Sequence, residues 1–239
     1  LRPFLQGVFL GDPDKVDAHY GQIVIRSFVT GSPGIPKYGV GQLSQALASR
    51  ILDLQLNVRA ERIVGNTVQT SVGEFEASDI VIATDATTAT QLLELGEVSR
   101  MQGCVTWYHA SDNNPSGTGR LLIDGQNRGP VMNSLVISDI SKDYAPTGMN
   151  LISSTTELGT TDSEVRRHLS TMWGVETRDW QLIAKYEIPS ALPLHHVGKG
   201  LTQPTKISDH LYIAGDHRIV PSQQGALFSG SLAAQLILN

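Results

Sequence analysis

The chain has 239 residues, a formal net charge of -5 and a pI near 5.8; it is 40% hydrophobic, 17% charged and 6% aromatic. That is a globular composition, too aliphatic for a disordered acidic tail, and its mild acidity argues against nucleic-acid binding. A single cysteine, Cys104, excludes an internal disulfide scaffold and suits a cytoplasmic protein, and no apolar run reaches the ~18 residues of a membrane-spanning helix.

Residues 1–30 predict helix, with Phe4, Leu5, Val8 and Phe9 at helical spacing; Ile23, Val24, Ser27 and Phe28 fit a helix or a short strand. Gly31-Ser32-Pro33-Gly34-Ile35-Pro36 is a loop, and Leu43, Leu47 and Ile51 form the stripe of an amphipathic helix. Short strands follow at Val58-Arg59, 62–64 and 68–70, with a hairpin turn at Val72-Gly73-Glu74 and a return strand from Phe75. Residues 79–84 are a continuous apolar run, the mark of a strand fully buried in a parallel sheet. Leu92, Leu93 and Leu95 mark a short helix.

From Cys104 to Pro193 the texture changes. Segments 104–110, 120–124, 131–138, 149–155 and 181–188, spaced by turns, predict an antiparallel sheet. One helix interrupts it, opened by a Thr161–Glu164 capping box, striped by Val165, Leu169 and Met172, and stopped at Gly174. Residues 211–214 are a second buried strand, and a small-residue helix spans 225–237. The fold class is therefore α/β plus α+β. Segments 31–99 and 196–239 read as a partial nucleotide-binding (Rossmann-like) domain; 1–30 and 100–195 read as an interleaved antiparallel-sheet domain.

The chemistry concentrates between Leu211 and Ala234. A strand ends at Gly215-Asp216, a loop ends in Pro221-Ser222-Gln223-Gln224, and a helix starts near Gly225-Ala226. Open α/β sheets collect ligands at the carboxyl ends of their strands. Gly215 allows a ligand to approach the backbone. Ionised Asp216 is acceptor-only, so it suits sugar or ribityl hydroxyls and repels phosphate. The unpaired N–H groups of the helix start favour a carbonyl oxygen or a developing anion. Ala226, Ser229, Gly230 and Ala233 give the helix a small face for close packing on a sheet or a cofactor.

Gly215-Asp216, Pro221-Ser222, Gly225-Ala226, Ser229-Gly230 and Ala233-Ala234 together resemble the C-terminal signature of the FAD-dependent amine oxidase and phytoene-desaturase-like flavoproteins. Residues 35–43 are similar to that family's Pro-x-x-Gly-Met-x-x-Leu loop and helix, with Val40 in place of the usual Met. Residues 58–84 resemble the strands beside the adenine, where only the backbone of Val58 is implicated. Residues 83–89 look like its turn near the phosphate half, and Trp107-Tyr108-His109 and 186–193 look like its substrate-domain strands.

The resemblance implies FAD as cofactor. It also implies cofactor contacts from Gly39, Val58, Ala83, Thr84, Gly215, Asp216, Ser222, Gln224, Gly225 and Ala226, with no metal and no named catalytic residue. The implied reaction is oxidation of a small apolar or amine substrate, a C–H bond giving hydride equivalents to the flavin. The family's opening strand, Gly-x-Gly-x-x-Gly and helix are not found, and the first residue is Leu1. The expectation is a C-terminal portion, with a missing N-terminal segment supplying the FAD phosphate site. The alternative is a non-catalytic, degenerate flavoprotein module that binds a partner or a lipid.

Other constellations are weaker. Adjacent His195 and His196 point to opposite faces of a strand and read as solvated or loop histidines, not as a metal pair. His217 either reaches the cofactor or a substrate, or is a surface-loop histidine. Lys185 reads as outward-facing and Cys104 as a small buried hydrophobe. Val105, Trp107, Leu122, Leu135, Ile152 and Ile183 fit either an apolar cavity or, residue by residue, the core of the sheet.

Overall fold

A computed structural model describes residues 1–94 and 100–239 of the chain, so Leu95 of the predicted short helix lies outside the described residues. In chain order the helices are α1 (Arg2–Phe9), α2 (Ala18–Thr30), α3 (Gly41–Ala48), α4 (Ala86–Leu92), α5 (Asp162–Trp173) and α6 (Gln223–Leu238). The strands are β1 (Ala60–Val64), β2 (Thr67–Thr70), β3 (Gly73–Glu76), β4 (Ile80–Ile82), β5 (Met101–Ser111), β6 (Val131–Val136), β7 (Asn150–Thr156), β8 (Gln181–Pro193), β9 (Lys206–Ser208) and β10 (Leu211–Ile213).

These elements form two compact units, each built from discontinuous segments. The first holds Leu1–Asp14, Ser32–Ile51 and Gln102–Leu192; the second holds Lys15–Gly31, Leu52–Met101 and Pro193–Asn239. Two segments thus fall in the opposite unit from the one their texture suggested. Residues 15–31 belong with the second unit because the Asp17 carboxylate accepts the N–H of Gly198 (3.2 Å) and the Tyr20 hydroxyl donates to the carbonyl of Pro221 (2.7 Å). Residues 32–51 belong with the first because the Tyr144 hydroxyl donates to the carbonyl of Pro36 (2.7 Å). Neither tie is visible in local periodicity.

The first unit is an antiparallel sheet of order β6-β7-β5-β8 with α5 packed on one face. The α5 capping box forms as predicted. The Glu164 N–H donates to Thr161 Oγ1 (3.4 Å), the Glu164 carboxylate accepts the Thr161 N–H (2.9 Å), and Gly174 ends the helix at φ 67°. Val165 and Leu169 of α5 are completely buried against Val105, Trp107, Val136 and Ile152. Each such side chain contributes about 1.5–3 kcal/mol. Val105, Trp107 and Ile152 are therefore core residues, while Ile183 is exposed. Segment 120–124 forms no strand, only a single bridge from Leu122 to Ser134. The stripe predicted for α3 is not buried: Leu43 and Leu47 are 40% and 44% exposed, and Ile51 lies beyond the helix end.

In the second unit β1, β2 and β3 form an antiparallel meander, and a separate sheet has the order β4-β10-β9. β4 and β10 are parallel, with Ile80–Ile82 opposite Leu211–Ile213. Ile80, Ile82, Ala89 and Ile213 form its small core. β4 is not buried on both faces as its composition predicted. Its second face is uncovered among the described residues: Val81, which points away from that core, is 40% exposed. Among the described residues no helix is long and apolar enough to cross a membrane.

Candidate cofactor site

Because β4 and β10 run parallel, their carboxyl ends lie side by side, joined by the Ala214 N–H donating to the carbonyl of Ile82 (2.8 Å). Ala83-Thr84 leaves one end and Gly215-Asp216 leaves the other. Gly215 has φ 150°, and its N–H donates to Ser229 Oγ (2.7 Å), which donates in turn to the carbonyl of Ala226 (2.7 Å). Fully buried Ser229 thus ties the strand end to the first turns of α6. A Cβ on Gly215 would meet the His217 ring at 2.4 Å. The glycine therefore makes room for a side chain of its own chain, where the sequence suggested an approaching ligand.

The start of α6 also differs from expectation in detail. Ser222 is its N-cap: Ser222 Oγ accepts the N–H of Gly225 (2.9 Å), and the Ser222 carbonyl accepts that of Ala226 (3.0 Å). Gly225 must be glycine, since a Cβ would fall 2.0 Å from the carbonyl oxygen of Val220. Gly225 and Ala226 thus shape the helix start with N–H groups already engaged. The donors that the helix leaves unpaired are those of Gln223 and Gln224. The buried stripe is Gly225, Ser229 and Ala233, whereas Ala226 and Gly230 are exposed.

At the neighbouring strand end, Ala83 is exposed and Thr84 half-buried. Asp85 caps α4, accepting the N–H groups of Thr87 (3.0 Å) and Thr88 (3.1 Å) and the Thr88 hydroxyl (2.6 Å), so its carboxylate fills that helix start. A cleft of about 560 Å³ is lined by Arg59, Ala60, Glu61, Thr84, Thr88, Gln91 and Leu92. Half-buried Val58 sits one residue before it, just outside β1. The second unit thus carries Val58, Ala83, Thr84, Gly215, Asp216, Ser222, Gln224, Gly225 and Ala226. Gly39 belongs to the first unit, in the loop before α3, at φ 104°.

A buried polar cluster surrounds Asp216, and sequence reasoning missed most of it. His217 is only 5% exposed and His195 only 1%, so neither is a solvated or surface-loop histidine; His196 is exposed. Among the described residues neither ring nitrogen of His195 or His217 has a hydrogen-bond partner. The His195 ring lies 5.0 Å from that of Tyr20, and Lys199 Nζ donates to the carbonyl of His217 (3.2 Å). Burial, then the charges of Arg218 and Lys199, push His217 down to about 4, so it is neutral at neutral pH. Burial raises the Asp216 carboxyl above its ordinary range, with the His217 N–H and the Lys199 charge pulling partly back. Burial, with Asp216 nearby, pushes the Tyr20 phenol up to about 12. One signal for this cluster was present in sequence: three titratable residues, Asp216-His217-Arg218, directly after a buried strand.

Elsewhere, Cys104 is buried as expected, and burial pushes its thiol up. Lys185 is exposed, its Nζ lying 5.0 Å over the Trp107 ring. No group of three or more metal-ligating side chains occurs among the described residues.

A parallel strand pair delivering Gly-Asp to a helix start, in a chain that also holds an antiparallel-sheet unit, is a flavoprotein-type fold. The chain belongs to the flavin-containing amine oxidoreductase family, whose model matches residues 1–238. That family consists of flavin-dependent oxidoreductases, and FAD is its cofactor. Among solved structures it is similar to a protoporphyrinogen oxidase-like protein from Exiguobacterium sp. 255-15 (TM-score 0.73, 15% identity, 99% of this chain and 62% of that one). An oxidoreductase from Methanosarcina mazei follows (TM-score 0.68, 12% identity, 100% and 63%). A reduced UDP-galactopyranose mutase is also similar (TM-score 0.68, 14% identity, 99% and 64%). The chain thus spans less than two thirds of each of these proteins. No curated protein matches it.

Proposed function

We propose that this chain is the flavin-facing, C-terminal portion of an FAD-dependent oxidoreductase that oxidises a small apolar or amine substrate. The observation that carries the reading is Asp216, held just past the carboxyl end of β10, where Ser229 ties the Gly215 backbone to the first turns of α6. Its surroundings fit the cofactor. A carboxylate accepts hydrogen bonds from hydroxyls, and Gln223 and Gln224 offer donors, with the positive end of a 16-residue helix, to an acceptor oxygen. The cleft between the start of β1 and α4 suits the adenosine end, with Thr84, Thr88, Glu61 and Gln91 as its polar groups.

FAD, when bound, supplies the hydride acceptor. What the chain's own residues supply is position. Ser229 fixes the Gly215 backbone, Ser222 and Gly225 fix the first turn of α6, and the half-buried Lys199 ammonium draws the Asp216 carboxyl partly back down. The diphosphate is assigned to a glycine-rich segment outside these 239 residues. A single cysteine keeps the cytoplasm as the proposed setting.

Replacing Asp216 with Ala in the full-length protein tests this. A charge-assisted hydrogen bond is worth about 1.5–3 kcal/mol, so the Kd for FAD should rise about tenfold to a hundredfold. An unchanged Kd, read by flavin fluorescence, would remove Asp216 from the site and favour a non-catalytic module.

A further inference from the structure

We infer that Tyr20 is a positioning residue for the cofactor: its hydroxyl fixes the direction in which α6 starts. This rests on the FAD reading above. Tyr20 is 4% exposed, and its hydroxyl donates to the carbonyl of Pro221 at 2.7 Å, across 201 residues of sequence. Pro221 directly precedes Ser222, the N-cap of α6. The residue before an N-cap helps to set the angle at which the chain enters the helix. The Tyr20 ring is itself anchored. It stands in the first turn of α2, where the Asp17 carboxylate accepts the N–H groups of His19 (2.9 Å), Tyr20 (3.4 Å) and Gly198 (3.2 Å). The Asp17 N–H donates in turn to the carbonyl of His195 (2.9 Å).

Two features turn that bond into control of the helix start. Pro221 is buried, which keeps water from replacing the phenol, and a buried carbonyl that loses its donor shifts to find another. The shift meets no slack, because Gly225 packs so closely on the Val220 carbonyl that a Cβ there would collide with it. It therefore passes to Ser222 and to the Gln223 and Gln224 N–H groups, the donors that the reading above offers to the flavin. Burial, with Asp216 nearby, keeps the phenol protonated, so it donates throughout the neutral range. A helix start acts most strongly on an acceptor that carries charge, and reduced flavin carries negative charge that oxidised flavin lacks. Displacing the helix start therefore weakens the reduced cofactor more than the oxidised one.

The test uses the full-length protein as wild type, Tyr20→Phe and Thr161→Ala, the last losing a helix cap in the first unit. Without flavin, amide hydrogen exchange at Gly225 and Ala226, both held by Ser222, should be about tenfold faster in Tyr20→Phe than in the other two proteins. With flavin, Tyr20→Phe should raise the Kd for reduced FAD about tenfold and that for oxidised FAD about threefold, a threefold change in their ratio. Thr161→Ala should leave the ratio unchanged. A hydrogen bond that served only to hold the fold would lower the unfolding midpoint of Tyr20→Phe and leave the ratio at its wild-type value. That result overturns the assignment, as do unchanged exchange rates at Gly225 and Ala226. Wild type that binds no FAD, with exchange accelerated in Tyr20→Phe, would instead overturn the underlying flavin reading.

Discussion

In the first unit, buried His168 uses both ring nitrogens. Nδ1 accepts the N–H of Val131 (3.0 Å), so Nε2 carries the proton and donates to Asp124 (2.9 Å). His109 of the same unit uses one, pairing Nε2 with Asp162 (3.1 Å). In the second unit, His217 is as deeply buried, and neither of its ring nitrogens has a hydrogen-bond partner among the described residues. The first arrangement holds a fold together. Asp124 also accepts the N–H groups of Gln126 and Arg128 and the Arg128 side chain. Burial pushes its carboxyl up, but the Arg128 guanidinium, these N–H groups and His168 outweigh that and hold it well below the ordinary range. The second leaves buried ring nitrogens without a hydrogen-bond partner among the described residues, which costs about 1–3 kcal/mol for each unsatisfied group.

Three measurements separate the two kinds of buried histidine. The largest effect is expected from Asp124→Ala, which leaves His168 and Arg128 without their buried partner. It should cost about 3–5 kcal/mol in urea unfolding and leave FAD affinity unchanged. A shift in Kd of more than about threefold, ~0.65 kcal/mol, would blur the line between the two units.

Next is pH. His217 titrates near 4 when folded and near its ordinary 6.5 when unfolded, so between these values only the unfolded chain takes up the proton. Stability is full above 6.5 and falls as the pH drops. His195, also lowered by burial, acts in the same direction, and the raised Asp216 carboxyl offsets part of it. Between pH 7 and 5, His217→Gln should lose about 2 kcal/mol less than wild type. Asp124 contributes little over that range, because its stabilisation is lost only as the pH falls below the ordinary carboxylate value. Parallel pH profiles for wild type and His217→Gln would contradict the buried neutral imidazole.

The smallest effect belongs to Thr161→Ala. Removing one side of the α5 capping box should cost about 1 kcal/mol, a lowered Tm with FAD binding untouched.

Features fixed by local sequence were legible. The capping box and Gly174 bounded α5 because their chemistry acts within one turn. The Ser222 cap and Gly225 marked the start of α6 for the same reason. Features fixed across long separations were not. Asp17 N–H donates to the carbonyl of His195 (2.9 Å), which fastens α2 beside a histidine more than 170 residues later, and no periodicity records such a bond. Val81 shows the same limit from the other direction: an apolar run specifies a strand but not what packs on each of its faces. At the cofactor site the residue types were readable, while the burial of His195 and His217 depended on loops 194–205 and 214–221 lying together, tied by the Gln203 N–H to the Arg218 carbonyl (2.7 Å).

The parallel pairing of β4 with β10 also governs how the protein is made. Asp79 and His210, each one residue before its strand, are 131 residues apart in sequence. A chain emerging from the ribosome exposes β4 and α4 long before their partner exists. The first unit's sheet, whose strands pair over much shorter separations, is free to form in the interval. At ~5–20 residues per second, the 131-residue gap leaves Ile80 and Ile82 without Leu211 and Ile213 for several seconds or more. Closure by β10 then builds the strand ends, the Gly215 turn and the α6 cap together, as one long-range step.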